Sequence, residues 1–178
     1  KVGDAVKAGT ALFFDKNNPS VLFTSPVSGT VTAVNRGEKR KILSVVVAAD
    51  EENTYKSFSS LDLVKASREQ IIELLLESGL WTMFVQRPYG VVASPSDKPK
   101  AIFVSAFDSA PLATDYNFAL ASLQQPLQKG FDVLRRLTDG KVHLSYNAAE
   151  QKPEVEGVEL HAFQGKHPAG NVGVQIHH

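Results

Sequence analysis

The chain has 178 residues, room for one or two domains with cores of their own, and its 43% hydrophobic and 21% charged shares are those of a soluble globular protein. Nineteen Lys and Arg balance nineteen Asp and Glu, so no overall charge draws it to nucleic acid or to an anionic membrane surface, and no apolar run nears the roughly 20 residues that cross a bilayer. With no cysteine it has no disulfides, iron–sulfur ligands, thiolate zinc sites or cysteine nucleophiles, in keeping with a cytosolic setting.

The first elements are short apolar strands punctuated by glycine: Gly3-Asp4-Ala5-Val6-Lys7-Ala8-Gly9-Thr10-Ala11-Leu12, then Phe23 to Gly37. Pro26 and Gly29 bracket a reversal that needs little side-chain bulk. The pattern resembles the biotinyl/lipoyl-carrier type of barrel-sandwich fold, which is built from two similar halves. In carriers, the hairpin between the halves presents a lysine that is acylated. Here Asp15-Lys16 stands near that hairpin, so acylation at Lys16 is one alternative function. The following Asn17-Asn18-Pro19-Ser20 is turn chemistry, and Lys16 lies further from Ser28-Gly29 than carrier spacing sets it; an exposed turn lysine is the simpler reading.

Leu43 to Ala49, rich in valine, reads as the strand that closes this module, and Asp50-Glu51-Glu52-Asn53 as a solvated turn. Residues 54–65 show no period and suit a linker, which sets the expected division at 1–55 and 56–178. Ser67-Arg68-Glu69-Gln70 is a capping box opening a helix with Ile71, Ile72, Leu74, Leu75 and Leu76 at helical spacing; Ser78-Gly79 ends it, and Leu80-Trp81 pack back. Arg87 to Pro99 carries several prolines and reads as a loop.

Lys100 to Phe107 is a continuous apolar run, as expected of a strand buried on both faces of a parallel sheet. A helical stretch from Tyr116 to Leu137, broken near Pro126, leads to the strands Lys141–Tyr146 and Val158–Phe163. The expected fold class is therefore mixed α/β: a β barrel-sandwich module followed by a Rossmann-like α/β domain with a mostly parallel sheet. Ligands of such sheets sit at the strands' carboxyl ends, so Asp108, Ser109, Asn147 and residues 164–171 should ring any crevice.

Outright chemical motifs are lacking. His143, His161, His167, His177 and His178 show no sequential metal-ligand spacing, strand alternation explains the first two, and no metal is expected. The loop Gly165 to Gly173 has neither P-loop nor dinucleotide-loop spacing and reads as structural or interfacial, and no Gly-x-Ser-x-Gly marks a hydrolase. No catalytic residue is assigned.

Taken together, Gly3-Asp4-x-Val6-Lys7-x-Gly9 through Asn18-Pro19, Pro26-x-Ser28-Gly29-x-Val31, Asn35-Arg36-Gly37-x-Lys39-Arg40, Ser78-Gly79-Leu80-Trp81-Thr82, Arg87-Pro88, Pro99 to Val104, Leu137-Thr138-x-Gly140-Lys141-Val142-His143 and His167-Pro168-Ala169-Gly170-x-Val172-Gly173 resemble the NqrA family, a component of the sodium-translocating NADH:quinone oxidoreductase. That family is distantly similar to the corresponding component of the Rnf complex and to the NADH-binding subunit of complex I. Its members extend past both ends of the chain, so a longer protein is expected.

The resemblance implies a peripheral subunit on the cytoplasmic side of the bacterial inner membrane, in a complex that couples NADH oxidation and quinone reduction to Na+ export. Its partners would be the other subunits, especially the membrane-embedded ones, and quinone. NADH, flavins and iron–sulfur centres would sit on those other subunits. Where the complex I relative has a glycine-rich loop around flavin and nucleotide, this chain has Trp81-Thr82-Met83-Phe84-Val85-Gln86-Arg87-Pro88, and its stretch Ser105-Ala106-Phe107-Asp108-Ser109-Ala110-Pro111 keeps one acid and has Phe and Ala where that relative has carboxylates. The expectation is a retained scaffold without its own redox cofactor, docking through a crevice of Arg87, Tyr89, Asp108, Ser109 and His167. A flavin- and NADH-binding subunit is the other alternative.

Overall fold

A computed structural model describes residues 1–178. The chain forms two compact units, Lys1–Ser96 and Asp97–His178.

In the first unit, β1 (Ala5–Val6), β4 (Gly29–Arg36) and β5 (Ile42–Ala49) form an antiparallel sheet in the order β1-β4-β5, and β2 (Ala11–Phe14) pairs with β3 (Leu22–Thr24). Val6, Val21 and Val31 are buried between these short strands, and Phe13 stacks on Phe23 at 4.7 Å. Ser28, fully buried, ties the corner together: its N–H donates to Asn53 Oδ1 at 2.9 Å and its hydroxyl accepts from the Thr54 N–H at 2.9 Å. The acidic turn is solvated at Glu51 and Glu52, while its last residue, Asn53, is structural.

The start of the stretch expected as a linker, residues 54–58, is pinned to the module. Ala8 donates to Thr54 O at 2.9 Å, Lys56 donates back to Ala8 O at 2.8 Å, and the Phe58 ring lies against Gly9. Backbone pairing of this kind leaves no trace in hydrophobic period. Next, α1 (Arg68–Glu77) opens with the expected capping box: Ser67 Oγ accepts from the Gln70 N–H at 3.2 Å, and Gln70 Oε1 from the Ser67 N–H at 2.9 Å. Ile71 and Ile72 are its buried face, and Gly79 ends it in the left-handed conformation with φ 78°. A 3-10 turn, Leu80–Met83, then buries Trp81 while leaving Leu80 exposed. The region expected as a loop holds a small hairpin, β6 (Val85–Gln86) with β7 (Val91–Val92).

In the second unit, β8 (Ala101–Ser105), β9 (Lys141–Asn147) and β10 (Glu159–Phe163) form a parallel sheet in the order β10-β9-β8. The helical stretch is two helices, α2 (Tyr116–Leu120) and α3 (Gln124–Leu137). Pro126 lies in the first turn of α3, where a missing N–H costs nothing, so the break falls just before it. Leu127, Phe131 and Leu134, spaced i, i+4, i+7, set α3 on Ile102, Val104, Val142, Leu144 and Leu160, one face of the sheet. Each such side chain, fully buried, contributes about 1.5–3 kcal/mol. A short α4 (Val172–His177) packs against β8.

One expectation needs correcting: β8 is not buried on both faces. It is an edge strand of this sheet, and Phe103, pointing away from α3, is 39% exposed. Its apolar run reflects one face packed on α3 and an opposite face carrying an aromatic.

Candidate functional site

The strand-end residues are assembled by the turn after β8. Phe107 is buried, and the Asp108 carboxylate accepts from the Ala110 N–H at 2.8 Å, closing a local turn. Ser109 Oγ lies 3.3 Å from His167 Nδ1 and accepts from the Gly170 N–H at 2.8 Å. A Cβ added at Gly170 would fall 2.2 Å from the Ser109 nitrogen, so only a glycine lets the 164–171 loop sit directly on Asp108–Ser109. From α4, Gln175 Nε2 donates to Phe107 O and Ala169 O, locking the same corner. Asn147 turns instead to its own connection, bonding Glu150 and the Ala149 N–H.

Asp108, Ser109 and His167 are therefore brought together, while Arg87 and Tyr89 belong to the other unit, in the turn between β6 and β7. Tyr89 is 76% exposed there. Ser109 with His167 has the elements of an activated hydroxyl, but no carboxylate bonds the imidazole to orient it, and the hydroxyl already holds a backbone N–H. The arrangement fastens a loop. Lys16 stands in the β2–β3 hairpin, a turn closed by Asn18 donating to Asp15 O and Val21 donating to Asn18 O.

Trp81 lies in the 3-10 turn that follows α1. Its side chain is 4% exposed, its indole N–H donates to Ala93 O at 2.8 Å, and its ring meets Phe84 at 5.1 Å. The two rings pack on each other within this turn.

A second cluster is assembled by strand register. The parallel registers align Phe103, His143 and Glu159 in one row across β8, β9 and β10, and His161, two residues beyond Glu159, shares their face. His143 Nδ1 lies 2.9 Å from His161 Nε2 and 3.5 Å from Glu159 Oε2, and one ligand atom from each residue falls within 4.8 Å of the others. Lys141 bonds the other Glu159 oxygen, and Phe103 stacks on the His143 ring at 4.6 Å and 11°. Burial holds the His143 imidazole below its ordinary value, with His161 adding to the effect and Glu159 opposing it. The hydrogen bond from Lys141 holds the Glu159 carboxyl below its usual range. Glu159-x-His161 on one strand was the only linear signal; the partner in β9 is set by strand register.

Comparison with known proteins adds the ancestry. A family model described as the NqrA N-terminal barrel-sandwich hybrid domain matches residues 1–50, and one described as the NqrA second alpha/beta domain matches residues 66–178. Relatives named as the NqrA component of a Na(+)-translocating NADH-quinone reductase are similar along the chain: that of Yersinia pseudotuberculosis serotype O:1b (strain IP 31758) is 44% identical over 179 residues, and that of Actinobacillus pleuropneumoniae serotype 5b (strain L20) is 44% identical over 182. The one from Haemophilus influenzae (strain PittGG) is 45% identical over 180 residues. In each case 98% of this chain is covered, and the chain spans 40% of the relative's length.

Proposed function

The chain belongs to the NqrA family, and from that premise we propose that it is the N-terminal part of a peripheral subunit of a Na+-translocating NADH:quinone reductase. The observation that carries the proposal is that similarity runs through both domains in the family's order and over 98% of the chain, which a shared β-module alone does not produce. No helix is long and apolar enough to cross a membrane. In this reading the ion path belongs to other subunits, and this one docks on them from the cytoplasmic side of the inner membrane.

Within the complex we assign it a scaffold role that supports quinone reduction without a redox cofactor of its own. Trp81 and Phe84 support that reading, because a flavin or dinucleotide needs bare backbone close to its phosphates and these rings occupy the corresponding turn. So does the 164–171 loop, which rests on Asp108–Ser109 at the strand end where a nucleotide of a Rossmann-like sheet would lie. Asp108, Ser109 and His167 are the proposed docking and quinone-access residues.

The test is made in the whole complex. Asp108→Asn with His167→Ala should lower co-purification with the membrane subunits or the rate of quinone reduction at least about tenfold, a loss of about 1.4 kcal/mol. Unchanged assembly and unchanged rate would remove the docking role. The purified full-length subunit should show no flavin absorbance and no NADH binding; a stoichiometric flavin would replace the scaffold reading with that of a nucleotide-binding subunit.

A further inference from the structure

We propose that His143, Glu159 and His161 form a site for one divalent transition-metal cation of the zinc type, with two imidazole nitrogens and one carboxylate oxygen as ligands and a fourth position open to water or a partner's side chain. The distances fit this use. Metal–ligand bonds of about 2.0–2.1 Å in a tetrahedron set neighbouring donor atoms about 3.3 Å apart. Here the His143–His161 and His143–Glu159 separations are 2.9 and 3.5 Å, on either side of that edge, and the third pair lies within 4.8 Å.

The surroundings are arranged for ligation as well. All three side chains project from paired strands of one sheet, so their spacing is held by backbone hydrogen bonds rather than by a loop. Phe103, stacked flat on His143, fixes the plane of that ring, and the His143 side chain is 17% exposed, leaving little freedom to turn away. Lys141 holds one Glu159 oxygen and leaves the other directed at His143, the outer-sphere support that ligating carboxylates usually have. The hydrogen bond now joining the two imidazoles gives way on binding: the bridging proton moves to the far nitrogen of its ring, and both facing nitrogens become donors to the ion. Two nitrogens and one oxygen favour Zn2+, Ni2+, Co2+ or Cu2+ over Mg2+ and Ca2+, which take oxygen ligands.

The test is calorimetric titration of the chelator-treated protein with ZnCl2, made on a His177→Ala, His178→Ala background so that the terminal pair does not contribute. The expected result is one ion per chain, weakened at least about tenfold by His161→Ala and by Glu159→Gln, indifferent to excess Mg2+, and weakened to a smaller extent by Lys141→Met, which removes the outer-sphere hydrogen bond to Glu159. Co2+ in place of zinc should give the intense visible bands of a tetrahedral N/O site, a readout that needs no variant at the cluster. Zinc binding that ignores all three substitutions, or a protein that takes up no zinc and shows no such bands with Co2+, overturns the proposal.

Discussion

At the scale of single residues, the first unit depends on two neighbours at the β3–β4 corner. An added Cβ at Gly29 would stand 1.9 Å from Ala48 O, and its φ of 152° is one that side chains rarely accept. Gly29→Ala should therefore destabilise the protein by more than about 2 kcal/mol, read as a fall in the denaturation midpoint. Ser28 beside it is fully buried and receives the Thr54 N–H. Ser28→Ala leaves that donor unpaired and should cost about 1–3 kcal/mol, whereas Ser28→Gly, which loses the same bond but admits water, should cost no more. The linear pattern marked Gly29 as a turn position. It did not disclose the carbonyl that excludes a side chain, because that carbonyl comes from a strand some twenty residues further on.

At the scale of elements, helix starts and stops were legible because they are local chemistry. Ser67, Gln70 and Gly79 stand where the side-chain and backbone demands of a helix end put them, and α1 runs between them. Ser67→Ala should remove the cap and cost about 1 kcal/mol, and Ser67→Asp should restore most of it; thermal melts followed at the helical signal check both. Residues 54–65 and the β6–β7 hairpin were not legible. Residues 54–58 pair with Ala8, a segment whose proximity is a property of the fold, and the two-residue strands of the hairpin carry too few side chains to show a period. The same limit explains β8: a run of apolar residues cannot say whether a second layer covers it.

At the scale of the whole molecule, each unit buries apolar residues of its own, Val21, Val31, Ile71 and Trp81 in the first and the packed cluster of Phe131, Val142 and Leu144 in the second. Phe131 is 2% exposed between α3 and the sheet, and Phe131→Ala should cost about 3–5 kcal/mol. Amide exchange should locate that loss: β8, β9, β10 and α3 exchange faster, while β4 and β5 keep their protection. An equal loss of protection in β4 and β5 would mean that the two cores unfold together. The order of elements, the mixed α/β class, the capping of α1 and the family were determined by the sequence itself, since all of them rest on local propensity or on motifs read in order along the chain. Which strand neighbours which, and in what register, was decided only in three dimensions. Register depends on a sheet's packed face as a whole, and a slip of one residue would turn His143 toward α3 and scatter the trio it forms with Glu159 and His161.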